Sequence, residues 1–114
     1  MDNLFNGCTN LTSLDLSNLS TSFVSNFSGI FKGCTSLTEI KINFNTESAN
    51  TMENMFANCL SLKTLNITSF NTENCLNFDN MFLNDENLDL YYKSKNCPNI
   101  IIPKYVNAHD VTDI

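Results

Sequence analysis

Large apolar residues recur along the chain at a nearly constant distance. Each of four phenylalanines lies 25 or 26 residues after the previous one, and a leucine follows each of them six residues later. The residues are Phe5, Phe31, Phe56 and Phe82, with Leu11, Leu37, Leu62 and Leu88. A period of this length is typical of proteins in which each unit buries its apolar face only against neighbouring units. The pattern therefore predicts a stack of repeated units.

Two shorter periodicities alternate within each unit. The pattern L-x-x-L-x-L at 11–16, 37–42 and 62–67 ends in the apolar-polar alternation of a strand with one buried face. Apolar residues then follow at helical spacing, as at 24–31, 49–56 and 75–82. The predicted helix starts are Thr21, Thr46 and Thr72, and the predicted left-handed positions at the helix ends are Gly7, Gly33, Asn58 and Asn84. Each unit is thus interpreted as strand, turn and short helix.

Stacking such units predicts an α/β fold. We expect a short right-handed solenoid over residues 1–103, with a parallel β-sheet on one face and short helices on the other. It would hold about three full repeats and a degenerate capping unit from about residue 84, in which 86–95 forms either a helix or an extended rung. A last strand is expected near 100–102, and a frayed tail at 104–114. The first unit lacks a preceding helix, so its edge from Leu4 to Leu16 is expected to self-associate or to continue a longer array.

Composition and charge narrow the classes of partner. The chain has 114 residues, enough for one domain, and a net charge of −6 with 16% charged residues. Such a surface argues against direct binding to nucleic acid or to an anionic membrane, because the phosphates would repel it. No stretch approaches the roughly 18 apolar residues of a membrane span. The N-terminus shows no signal-peptide pattern, which leaves a cytoplasmic location open.

The cysteines are the first candidates for chemistry. Three of them, Cys8, Cys34 and Cys59, share one repeat position and should form a ladder with rungs about 4.8 Å apart. Such a ladder supplies neither the geometry of a disulfide nor the four convergent ligands of a zinc site. We interpret these cysteines as buried filler, Cys75 as a packing residue and Cys97 as the last ladder member.

Other catalytic patterns are missing from the sequence. The one histidine, His109, lies in the predicted tail and is interpreted as solvated. No serine lies in a G-x-S-x-G motif, and three glycines are too few for a phosphate loop. The sequence therefore predicts a protein that is not an enzyme and that carries no cofactor and no metal.

The repeated residues carry a family resemblance. The shared pattern M-F-x-[GN]-C-x-[SN]-L-x-x-L-x-L-x-x-F-x-T resembles the BspA-like leucine-rich repeats from about Leu4 to Phe82. Asp85 departs from it, because it replaces the expected cysteine. The resemblance implies a leucine-rich-repeat solenoid of the kind found in tandem arrays on bacterial and protozoan surface proteins. It thus implies a surface or secreted protein with a role in cell adhesion.

The polar face of the predicted sheet is the candidate site. Side chains between the buried strand residues project outward, and solenoids often bind proteins on such a face. The candidate residues are Ser13, Asp15, Ser17, Glu39, Lys41, Asn43, Thr64, Asn66 and Thr68. None is an aromatic or arginine anchor of the kind that interface hot spots favour, so a merely solvated sheet is the competing interpretation.

Two functional hypotheses follow from this interpretation of the sequence. The first is a non-enzymatic protein-protein interaction or adhesion module that binds an unidentified protein through this face. The alternative, suggested by the acidic charge, is a small intracellular inhibitor that blocks a basic, nucleic-acid-handling protein.

Overall fold

Short parallel strands recur along the chain in a computed structural model, which describes residues 1–113. The strands are β1 (Ser13–Asp15), β2 (Glu39–Lys41), β3 (Thr64–Asn66), β4 (Asp89–Tyr92) and β5 (Asn107–Asp110). Strands β1 and β2 form one parallel sheet, and β3, β4 and β5 form a second in that order. The chain thus winds into stacked coils, which we number coil 1 (1–26), coil 2 (27–51) and coil 3 (52–77), followed by a C-terminal cap (78–113).

Consecutive turns stand where the sequence predicts helices. Residues 1–113 contain no helix, so the predicted α/β solenoid with short helices on one face is wrong. In these turns alternate N–H groups donate to the next coil, as from Phe31 to the Met55 carbonyl (3.0 Å). The N–H groups between them close turns three residues back, as from Ala57 to the Asn54 carbonyl (3.1 Å). A helix would direct all of these donors to its own carbonyls, four residues back.

Left-handed residues explain why the helices do not form. Each turn segment holds two residues of positive φ, four positions apart. The pairs are Asn3 and Gly7, Gly29 and Gly33, Asn54 and Asn58, and Asn80 and Asn84. The left-handed conformation predicted at Gly7, Gly33, Asn58 and Asn84 is confirmed, although no helix ends there. Two left-handed residues within five positions interrupt a right-handed helix, and glycine and asparagine adopt this conformation at the lowest cost.

The repeated threonines join neighbouring coils. Thr21, Thr46 and Thr72 are 2%, 1% and 0% exposed, although threonine is normally a surface residue. The Thr46 hydroxyl donates to the Asn71 carbonyl (2.8 Å) and accepts the Asn71 N–H (2.8 Å). Thr21 does the same with Asn45. The threonines therefore link neighbouring coils by hydrogen bonds at one corner of each coil. Their predicted role as helix caps is wrong.

Stacked rings and thiols fill the core between the coils. The rings of Phe5, Phe31, Phe56 and Phe82 lie 6.0, 5.4 and 5.9 Å apart in succession, nearly parallel. All five cysteines are free, and all but the half-buried Cys8 are buried, as predicted. The Cys34 thiol donates to a carbonyl of the preceding coil, that of Phe5 (3.2 Å).

The two ends of the stack differ from each other. At the N-terminus β1 has a partner on one side only, and core residues of coil 1 such as Phe5 and Leu14 are only partly buried. At the C-terminus, β4 realises the extended alternative for 86–95. Residues 100–102 form no strand. The sequence predicts a frayed tail at 104–114, whereas the structure places β5 there, and the last residue of that tail lies outside the described residues.

Candidate protein-binding face

Strand register brings the predicted site residues side by side. Ser13 lies beside Glu39, and Asp15 lies beside Lys41. In the second sheet Asn66, Tyr91 and His109 form one row, and Thr64, Asp89 and Asn107 form another. Eight of the nine predicted residues are exposed, and Thr68 is half-buried. The six of them that lie in β1, β2 and β3 thus share one face of the stack, which continues onto β4 and β5.

A cleft interrupts this face between the two sheets. Strand β2 is the last of one sheet and β3 the first of the other, and a space of about 450 Å3 opens there. It is lined by Thr38, Glu39, Ile40, Lys41, Thr64, Leu65, Asn66 and Tyr91. Neighbouring residues of a parallel strand direct their backbone groups to opposite sides, and the Lys41 carbonyl accepts the Leu16 N–H on the β1 side. The backbone groups of Ile40 therefore face the cleft.

The charges at the cleft are exposed and weakly paired. Lys41 Nζ lies 3.5 Å from Glu39 Oε1, and both side chains are more than half exposed. Such a pair contributes little stability, so Lys41 is available to a partner. Hydrogen bonds from Ser17 are the main cause that lowers the pKa of Asp15, with a smaller effect of Lys41.

Several predicted site residues are already engaged in turns. Asp15 Oδ1 accepts from the hydroxyl and the N–H of Ser17 (2.6 and 3.0 Å). Asn66 Oδ1 accepts the equivalent pair from Thr68 (2.7 and 2.9 Å). These side chains shape the ends of their strands, which leaves fewer of their acceptor sites for a ligand. Asn43 lies around the corner, at a separate cavity of about 250 Å3.

Tyr91, which lines the cleft, belongs to an aromatic pair that the sequence pattern does not indicate. The rings of Tyr91 and His109 stack with centroids 4.6 Å apart, and His109 Nε2 lies 3.6 Å from Asp89 Oδ1. Tyr91 supplies the aromatic residue that the predicted face lacked. The repeat pattern does not align Tyr91 with Asn66, because the spacing from Leu88 to Leu90 is one residue shorter than that from Leu62 to Leu65.

Comparison with known proteins identifies the family. Residues 1–108 match DUF285, described as a Mycoplasma protein of unknown function. The chain belongs to the DUF285 family. Its predicted membership of the BspA-like leucine-rich-repeat family is therefore wrong, and without helices the leucine-rich-repeat solenoid is not supported either. The surface location and adhesive role implied by that resemblance lose their basis. No curated protein and no solved structure matches the chain.

The described part of the chain shows neither a cluster of metal ligands nor a membrane-spanning helix. Among residues 1–113 of this DUF285 chain, no group of three or more His, Cys, Asp or Glu side chains could hold a metal ion. The same part of the chain has no helix with the length and hydropathy needed to cross a membrane.

Proposed function

We propose that this DUF285 chain is a non-catalytic binding module that takes a protein ligand at the cleft between β2 and β3. The observation that carries the proposal is the cleft itself, which opens on the polar face and combines Lys41, Thr64, Asn66 and Tyr91. Tyrosine is one of the residues on which interface affinity most often depends. The amide, hydroxyl and ammonium groups around it would give directional contacts.

The character of the cleft favours a protein over a small molecule. Small-molecule sites are mostly apolar and enclose their ligand. Here exposed side chains such as Glu39 and Lys41 border an open space, and only the buried Ile40 and Leu65 form an apolar floor. One side chain of a protein partner can enter this space while its neighbours contact the flat face on either side.

A photo-crosslinking amino acid at Thr64 would test the proposal in the cell that makes the protein. We expect one protein to be captured from Thr64 and not from Ser48, an exposed residue outside the cleft. With that partner purified, Lys41→Glu and Tyr91→Ala should each weaken binding at least tenfold, or about 1.4 kcal/mol. Lys104→Glu makes the same charge change at an exposed residue of the cap. Equal capture from both positions, or unchanged affinity of the two cleft variants, would exclude this site.

A further inference from the structure

Asp85 occupies the cysteine position of the cap. Its side chain is 1% exposed, and its Oδ1 accepts the Cys59 N–H at 3.0 Å. Its Oδ2 is the one buried side-chain oxygen or nitrogen in residues 1–113 without a hydrogen-bond partner. A buried carboxylate oxygen without a partner is costly, so the protonation state of this group needs an explanation.

The cysteine ladder shows what this position does in the other coils. The Cys34 thiol donates to the Phe5 carbonyl at 3.2 Å, and the Cys59 thiol donates to the Phe31 carbonyl at 3.1 Å. Each acceptor lies three residues before the ladder cysteine of the preceding coil. The same relation, continued by one coil, places the Phe56 carbonyl opposite Asp85. In both coils the side chain at the ladder position donates, and a carboxyl group has a proton to donate only in its neutral form.

We propose that Asp85 is a neutral carboxylic acid whose Oδ2 proton bonds to the Phe56 carbonyl, and that this bond is a pH-sensitive latch between coil 3 and the cap. When the acid ionises, its proton passes to solvent, and a charged oxygen remains in the core beside a carbonyl oxygen. The attraction between coil and cap then becomes a repulsion. The Cys59 N–H bond to Oδ1 remains in both states.

The groups around Asp85 leave its charge uncompensated. The titratable group facing it from coil 3 is the Cys59 thiol, and burial raises the pKa of that thiol so that it stays neutral. On the cap side the Tyr105 hydroxyl is engaged with the Asn84 N–H and the Phe82 carbonyl. The close contacts between basic and acidic side chains within residues 1–113 are those of Lys41 with Glu39 and of His109 with Asp89, and neither includes Asp85.

Burial of Asp85 also favours its neutral form. It raises the pKa of Asp85 from 3.8 to about 8, against the smaller opposing effect of the Cys59 N–H. Because the folded pKa lies above the unfolded one, the folded state holds the proton more tightly. The stabilisation is fully present below about pH 4 and is lost as the pH rises through about 8.

Carboxyl 13C NMR of the full chain measures the titration directly. We expect the resonance that disappears in Asp85→Asn to titrate with a midpoint above pH 7. A midpoint below pH 5 would overturn the proposal, because an ordinary ionised carboxylate would then occupy the site.

Hydrogen exchange tests whether the proton holds the cap. After correction for the intrinsic rate, protection of the amides in 78–97 should fall up to about tenfold per pH unit between pH 5 and 7, as the release of one proton requires. Asp85→Asn keeps a donor and an acceptor but cannot titrate, so this dependence should disappear. Asp85→Cys restores the residue of the other coils and gives the same test if the asparagine variant does not fold. Glu86→Gln removes an exposed neighbouring charge and should keep the dependence. A pH dependence that survives both Asp85 variants would overturn the latch.

Discussion

Left-handed residues set the path of each coil, and two glycines allow their effect to be measured. Gly29 has φ +61°, and a Cβ at this position would lie 2.3 Å from Asn3 Oδ1. Gly7 has φ +77°, and a Cβ there would meet nothing within 4 Å. Backbone strain is thus common to both positions, whereas the steric conflict exists only at Gly29.

Replacing each glycine with alanine separates these two effects. Both variants should lose about 1–2 kcal/mol in free energy of unfolding, because alanine is strained at positive φ. Gly29→Ala should lose more than Gly7→Ala, since Asn3 must move and give up its bond from Asn6 Nδ2 (3.0 Å). Urea denaturation measures the difference. Equal losses would show that the Asn3 side chain moves aside at no cost.

At the scale of the element, the corner threonines replace the capping residues of a helical repeat. Thr46→Val keeps the volume of the side chain but leaves the partly buried N–H and carbonyl of Asn71 without their partner. We expect a loss of about 1–3 kcal/mol in the free energy of unfolding. Thr46→Ser retains the hydroxyl and is the matched control. If Thr46→Val unfolds in chemical denaturation with the same free energy as the unaltered chain, the hydrogen bonds of Thr46 contribute nothing to stability.

The elements also show how far the sequence could predict the fold. The period, the inward-facing positions Leu14, Ile40 and Leu65, and the first three strands can be predicted, because each follows from a local alternation repeated three times. The helices were wrong because apolar spacing of three and four residues also suits a ladder of turns. What distinguishes the two structures is the acceptor of the N–H groups, which for alternate groups in the turns lies 24 or 25 residues away in the next coil. The left-handed residue at the start of each turn, such as Gly29, was the overlooked signal.

The candidate site was predictable to a similar extent. Lys41, Thr64 and Asn66 were placed on the exposed face by their alternation with buried residues, and the structure brings them to one cleft. Tyr91 was missed because the pattern loses one residue before β4. His109 was missed because β5 has the sequence NAHD, which carries no strand-like apolar alternation. Both residues reach the face through pairing with strands distant in sequence, and a local pattern does not contain that information.

At the scale of the whole molecule, the backbone hydrogen bonds that link the turn segments of neighbouring coils run in one direction. N–H groups of coil 1 donate to carbonyls of coil 2, as from Asn3 to Ser28 and from Phe5 to Ile30 (both 2.8 Å). The carbonyls of coil 1 that are equivalent to those of Ser28 and Ile30, one repeat earlier, belong to Asp2 and Leu4. These two carbonyls therefore point out of the N-terminal face. Two copies meeting by their N-terminal faces would oppose carbonyl to carbonyl along these turns. If copies associate through the edge from Leu4 to Leu16, this direction favours a head-to-tail arrangement.

We propose that the outer edge of β5 in one copy pairs with the outer edge of β1 in the next. Asn107 donates to Leu88, just before β4, and Val111 donates to Tyr92 of β4 (3.0 and 2.9 Å). By alternation the exposed Ala108 therefore directs its N–H away from the stack. Ala108→Pro removes that donor on an edge strand, where proline is tolerated, and Ala108→Gly keeps it.

Light scattering over a wide range of concentration distinguishes these two variants. The unaltered chain and Ala108→Gly should grow in mass with concentration without stopping at a dimer, because a head-to-tail contact does not close on itself. Ala108→Pro should remain at the mass of one chain. A species that saturates at two copies would instead require a symmetric contact, and the opposed carbonyls of the N-terminal turns would then have to be separated by water or by a change in their conformation.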